Sequence, residues 1–158
     1  MSELLTVCIK EQRHVDALVA RYSVGWQWFR NVRDPKWHSL LDQRRSSVDW
    51  DLLPPTTDDQ PYMVGNWAWR LPKYSSDMGV MWGEVERLRT QGIDFKLRPW
   101  TNGDWRADLT RHDDMDKADA DTWEGFSRSA PLALATALLS FHSIRLVWLP
   151  PSTTKEDA

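Results

Sequence analysis

Residues 93 to 111 constrain the fold most. Ile93, Phe95 and Leu97 alternate with Asp94, Lys96 and Arg98, and Trp105, Ala107 and Leu109 alternate with Arg106, Asp108 and Thr110. A period of two sends one set to each face of a strand. Asn102-Gly103, between the two runs, is a preferred pair for a two-residue hairpin turn. The segment reads as a β-hairpin with one buried face.

The flanking segments read as a mixture of helix and strand. Glu11 to Tyr22 carries Val15, Leu18, Val19 and Tyr22 on one helical stripe, and Gly25 breaks the pattern. Trp26 to Phe29 reads as a short strand. Residues 31 to 61 show no sustained period. Asp34-Pro35, Arg44-Arg45-Ser46-Ser47, Pro54-Pro55-Thr56-Thr57 and Gln60-Pro61 mark a long loop or insertion. At most one helical turn is expected there, around Ser39 to Gln43, with Trp37 and Trp50 pinning the segment to the body. Tyr62 to Arg70 is strand-like around Gly65. Ser75 or Ser76 then caps a helix with Asp77 in its first turn. Met78, Met81, Trp82, Val85 and Leu88 form that helix's apolar stripe. Glu84, Glu86, Arg87 and Arg89 take its other faces, and Gly92 sits at a C-terminal cap.

Asp113 to Asp121 is an acidic, solvated loop without the spacing of a calcium-binding loop. Thr122 to Phe126 reads as a further strand. Ser129-Ala130-Pro131 opens a last helix, serine as cap and proline in the first turn. It is apolar on most of its surface through Phe141, so it is buried or meets another subunit. Ile144 to Leu149 closes the chain as a strand, and residues 151 to 158 read as a disordered tail. The expected architecture is α/β (α+β): a layered helix–sheet–helix sandwich with a mainly antiparallel sheet. It forms one domain over residues 1 to 150, with a tryptophan- and proline-rich insertion at about 31 to 69.

Composition narrows the function. The chain has 158 residues and a net charge of −3, with both signs spread along it, which argues against bulk binding to duplex DNA or an anionic membrane. Cys8 is the one cysteine, so neither an intrachain disulfide nor a cysteine zinc site is expected, and a reducing compartment fits. The first residues do not read as a signal peptide, and Pro131 to Leu139 is too short to span a bilayer. His14, His38, His112 and His142 are scattered, so no metal site is expected. There is no G-x-S-x-G elbow and no Walker or Rossmann glycine motif. Glu84 and Asp108 are the carboxylates that a paired acid–base mechanism would use, but no motif singles them out. The expectation is a protein that is not an enzyme and carries no cofactor.

The unusual feature is eleven tryptophans. Trp26-Gln27-Trp28 and Trp67-Ala68-Trp69 are both W-x-W and are followed closely by Arg30 and Arg70. Arg98 and Arg106 also lie within two residues of a tryptophan, at Trp100 and Trp105. These clusters are either core and anchors or a stacking platform for a base with arginines for phosphate. The same composition marks protein-interface hot spots. Tyr74, Ser75 and Asp77 either cap the middle helix or offer an anion or ribose site at its N-terminus. The candidate ligand residues are thus Trp26, Trp28, Arg30, Trp67, Trp69, Arg70, Tyr74, Ser75, Asp77, Arg98, Trp100 and Arg106.

Val15 to Ala20, Val24-Gly25-Trp26, Leu71-Pro72-Lys73-Tyr74-Ser75-Ser76-Asp77 and Trp82 to Leu88 resemble the phage ABA-sandwich domain family, as does Ala130 to Ala135. The resemblance covers roughly residues 14 to 30 and 70 to 142. It implies a small bacteriophage or prophage protein with helix–sheet–helix layers, located in the cytoplasm of the infected bacterial host. The family brings no biochemical function with it. The sequence and its resemblance together suggest an anti-defence protein that sequesters a nucleotide-derived immune signal, of cyclic oligonucleotide or cyclic ADP-ribose type, without catalysis. The alternative is a protein that inhibits a host defence enzyme by docking on it. The apolar last helix adds an expectation of a homo-oligomer.

Overall fold

The structure is a computed structural model that describes residues 4–42, 49–54, 62–63, 67–68, 70–111 and 121–149. In chain order its elements are β1 (Leu5–Ile9), α1 (Gln12–Leu18), β2 (Gln27–Asn31), β3 (His38–Leu41) and β4 (Trp50–Leu52). These are followed by α2 (Met78–Arg89), β5 (Ile93–Pro99), β6 (Trp105–Arg111), β7 (Thr122–Ser127), α3 (Ala130–Phe141) and β8 (Ile144–Trp148). The strands form an antiparallel sheet in the order β5-β6-β7, a second antiparallel sheet in the order β3-β2-β4, and a parallel β1–β8 pair. The fold is mixed α/β, compatible with the α+β class. Among the described residues no helix is long and apolar enough to cross a membrane.

The hairpin forms as its alternation predicts, and the strand expected at Thr122 to Phe126 pairs beside it. Phe95 faces Leu109 and Trp123 across the sheet, and Leu97 faces Ala107 and Gly125, so one face is apolar. The turn is longer than two residues. Trp100 N–H donates to the Asp104 carbonyl, and the tip is Thr101–Gly103 with positive φ at Asn102 (61°) and Gly103 (80°).

The apolar face of this sheet is covered by α3. Ser129 caps that helix, its Oγ accepting from Leu132 N–H at 3.4 Å. Contact is closest at Gly125. A Cβ there would lie 2.1 Å from the Ala133 carbonyl oxygen and 2.5 Å from the Ala137 nitrogen. Only a glycine lets the backbones of β7 and α3 approach this closely. Ala133, Leu134, Ala135, Ala137, Leu138 and Leu139 are fully buried within the chain, against β6, β7 and the other helices. The apolar surface that suggested a second copy is covered internally.

At the other end, α1 continues as a π-helical turn over Val19–Val24 and stops at Gly25, whose φ is 96°. Its buried carboxylate, Asp16, is 1% exposed. Arg13 Nη1 donates to Asp16 Oδ2 at 2.6 Å, and Ser75 N–H donates to Asp16 Oδ1 at 2.6 Å. Arg13 Nη2 also donates to the carbonyls of Ala68 (3.0 Å) and Leu71 (2.6 Å). One arginine and one aspartate thereby hold the segment that leads into α2.

Several elements differ from the sequence reading. β1 was not anticipated. The 31-to-61 segment is not all loop, since β3 and β4 flank β2 as a sheet. Ser39 to Leu41 is strand and not a helical turn. Ser39, Leu40 and Leu41 are all buried, so the alternation that signals a strand is missing. Trp37 and Trp50 meet edge-on at 5.2 Å. In the 62-to-70 segment the described residues form turns and no strand, and Gly65 lies outside them. The carbonyl of Ala68 goes to Arg13 instead of a ladder. The N-cap of α2 is Asp77 itself, accepting from Gly79 N–H at 2.9 Å and Val80 N–H at 3.3 Å. On that helix Trp82 leaves the apolar stripe and is 47% exposed, while Glu84 is buried. The acidic 112-to-120 stretch and the tail from 150 lie outside the described residues.

Two expected outcomes follow. Gly125→Ala should cost about 3 kcal/mol or more, because α3 must shift to admit the methyl group. The control Gly83→Ala meets nothing within 4 Å on an exposed helical face and should be neutral or stabilising by up to about 1 kcal/mol. Asp16→Ala should cost about 3–5 kcal/mol, since it takes the counter-charge from Arg13 and the acceptor from the Ser75 amide. Urea unfolding at neutral pH measures all three.

Candidate functional site

The outer face of the β5-β6-β7 sheet gathers the even-numbered residues of the hairpin. Register sets Arg98 opposite Arg106, and Arg106 opposite Phe126. The next row is Lys96, Asp108 and Glu124. Two arginines directly opposite each other repel, and the neighbouring row offsets this. Arg106 Nε donates to both Asp108 oxygens, at 2.9 and 3.2 Å, and its Nη2 donates to Glu124 at 2.8 Å. The hydrogen bond to Asp108 raises the Arg106 pKa above its ordinary value, so the group stays cationic. Arg98 is held more loosely, 3.9 Å from Asp108.

Trp100 folds from the turn onto this face. Its ring centroid lies 5.0 Å from the Arg98 guanidinium carbon and 4.8 Å from that of Arg106. Phe126 stands 5.9 Å from Trp100 and also lies under Arg106. Trp100 is 40% and Phe126 44% exposed. Beside them is a cleft of about 280 Å³ lined by Asp94, Lys96, Arg106, Asp108, Thr110 and Thr122. This arrangement offers a flat aromatic surface, two guanidinium planes, and carboxylates and hydroxyls within one face. It can stack on a planar group and hydrogen-bond its edges.

Of the twelve residues singled out in the sequence, Arg98, Trp100 and Arg106 come together here. The others go elsewhere. Trp28 and Trp67 are core residues, with rings 5.8 Å apart and Tyr62 5.6 Å from Trp28. Trp26 is half-buried against that core. Arg30 is exposed on β2 opposite His38 and Asp51, and Arg70 is exposed beyond Ala68. Trp69 lies outside the described residues. Tyr74 and Ser75 are buried, Ser75 is tied to Asp16, and Asp77 serves as the helix cap.

Asp108, Glu124 and Phe126 were missed as site residues. The signal was in the alternation, which puts Asp108 on the polar face. Phe126 shows only as an apolar residue at a polar-face position of its strand.

A second polar cluster lies between the π-helical turn and α2. Glu84 is held by Arg87, which also donates to the Ser23 carbonyl at 2.9 Å, and Ser23 Oγ donates to Glu84 at 2.6 Å. Burial, then the Glu84 charge, pushes the Tyr74 phenol up to about 12, so it stays neutral. Burial also lowers the pKa of His14, His38 and His142. Glu84 and Asp108 belong to separate ion-pair clusters and do not form an acid–base pair. Among the described residues no group of three or more His, Cys, Asp or Glu side chains is placed to hold a metal ion. Comparison with known proteins finds no matching family model, no matching curated protein and no matching solved structure.

The two kinds of tryptophan should separate by mutation. Trp28→Ala is expected to cost about 3–5 kcal/mol as a core deletion. Trp100→Ala should cost less than about 1 kcal/mol, the worth of exposed cation–π contacts. Thermal and urea unfolding of both variants check this.

Proposed function

We propose that this chain is a non-catalytic binding protein whose ligand site is the outer face of the β5-β6-β7 sheet, and that the ligand is nucleotide-derived. The supporting observation is the convergence of Arg98, Trp100 and Arg106, from two strands and the turn between them, with Trp100 part-exposed. In this reading a base stacks on Trp100 and Phe126. Its sugar hydroxyls reach Asp94, Asp108 or Thr110 in the adjoining cleft. Arg98 and Lys96 hold a phosphate, because Arg106 is already engaged by Asp108 and Glu124. Ligands of the cyclic oligonucleotide or cyclic ADP-ribose type combine these groups.

The resemblance to the phage ABA-sandwich family supplies the setting. The helices and sheets are then layers of that sandwich with an insertion at about 31 to 69. The protein acts in the cytoplasm of an infected bacterium by sequestering a defence signal. Two of the segments that carry the resemblance, around Asp16 and around Ser75, are joined directly by a hydrogen bond. This gives a physical reason for them to occur together.

One observation favours the second reading, a docking surface for a host defence enzyme. The ion cluster on this face balances its own charge, and aromatic residues beside arginine form the composition of interface hot spots.

A thermal-shift screen against cyclic di- and trinucleotides, cyclic ADP-ribose isomers and NAD decides between them. A bound ligand at a hundredfold excess over its Kd adds about 2.7 kcal/mol, which raises Tm by roughly 5–10 °C in a chain of this size. Trp100→Ala and Arg98→Ala should abolish the shift without lowering the unliganded Tm by more than a few degrees. No shift with any compound overturns the nucleotide reading. One stoichiometric protein partner lost on Trp100→Ala would then support the docking reading.

A further inference from the structure

A second cleft, of about 460 Å³, lies on the far side of β7. Glu124, Gly125, Phe126 and Ser127 line one wall, and Ile144, Arg145 and Leu146 line the other. Successive side chains of a strand point to opposite faces. Runs of three or four consecutive residues at one wall therefore mean that the strand edges themselves border the cleft. Among the described residues β7 pairs with β6 alone and β8 with β1 alone. Each thus carries a row of backbone donors and acceptors toward the gap.

The connection between them explains the gap. β7, α3 and β8 form a strand–helix–strand unit with two-residue links, so β7 and β8 run in the same direction on one side of α3. Leu132, Thr136 and Ser140, spaced by four along α3, form the floor. Phe126 and Trp148, 44% and 47% exposed, stand at the rim. Arg145 is exposed at the same rim and has no ion-pair partner among the described residues.

We propose that this cleft takes an extended segment of a partner protein as an added strand between β7 and β8. Main-chain hydrogen bonds to two open edges supply the affinity. On the outer side of the segment an apolar residue meets Phe126 and an acidic residue pairs with Arg145, while the intervening residues face Leu132, Thr136 and Ser140 on α3. The inference does not rest on the nucleotide reading, although Glu124 and Phe126 border both the outer face and this cleft.

Amide hydrogen exchange on the full chain tests it. The probe is a short acetylated peptide of alternating valine and threonine with one glutamate, at millimolar concentration. Alternate amides of both β7 and β8 should exchange at least about tenfold more slowly with the peptide bound. A version N-methylated at alternate residues, which lacks the needed N–H donors, should give no protection. Arg145→Glu should weaken binding about tenfold, and a peptide with lysine in place of the glutamate should restore it.

Equal binding of the two peptides, protection elsewhere, or no binding overturns the proposal. So does protection of these amides in the free chain that is lost when residues 150–158 are deleted, which would make the tail the occupant. Protection that rises with protein concentration would make a second copy the occupant and would also overturn it.

Discussion

The buried Asp16 carboxylate is the interaction on which the middle of this structure depends. A carboxylate that is 1% exposed loses nearly all its hydration, and that cost is offset only where the protein replaces the lost water contacts. Arg13 and the Ser75 amide do so. Arg13 in turn spreads its remaining donors over the carbonyls of Ala68, Leu71 and Pro72. The first helix therefore fixes a stretch of irregular chain some fifty residues later. That stretch carries Trp67 into the core against Trp28, and Ser39 Oγ donates to the Trp67 carbonyl at 3.1 Å. It also delivers Asp77 to cap α2. Aromatic packing, the entry to α2 and the seat of β3 all trace to one ion pair.

Two uses of tryptophan follow from this arrangement. Trp28 and Trp67 fill the space that the clamped segment encloses, and the Trp28 ring meets those of Trp67 and Tyr62 in tilted contacts. Trp100 has a different role. It leaves the tight hairpin tip, where no core is available, and its ring is covered instead by two guanidinium groups. An indole contacted by two cations and still 40% exposed leaves ring surface available to a planar ligand. The same ring buried under leucines would not.

The hairpin was legible because every residue from Ile93 to Leu97 and from Trp105 to Thr110 obeys one period. The last helix was legible because Ser129 and Pro131 mark its start and its apolar residues run unbroken. β3 was not legible, since Ser39, Leu40 and Leu41 are buried on both faces and give no alternation. Among the described residues of 62 to 70 no strand forms, and the Ala68 carbonyl is taken by Leu71 N–H in a local turn and by Arg13 from far away in sequence. Glu84 illustrates the same limit. Helical phase puts it on a polar face, yet Ser23 and Arg87 let it be buried. Of the site, the arginine–tryptophan proximity at 98, 100 and 106 was visible along the chain. The contributions of Asp108, Glu124 and Phe126 depend on three-stranded register, which one strand's pattern does not contain.

That register also determines what kind of ligand the outer face can prefer. Arg98 and Arg106 sit side by side only because Asp108 and Glu124 offset their repulsion. The face is therefore a balanced ion cluster and not a positive patch. A highly charged polyanion gains little here, since it must compete with carboxylates already in place and part-screened by solvent. A planar group meets less competition, because Trp100 and Phe126 stay 40% and 44% exposed beside the guanidinium groups. Binding on this face should thus be set first by the flat surface and second by charge. It should fall more on loss of Trp100 than on raising the salt.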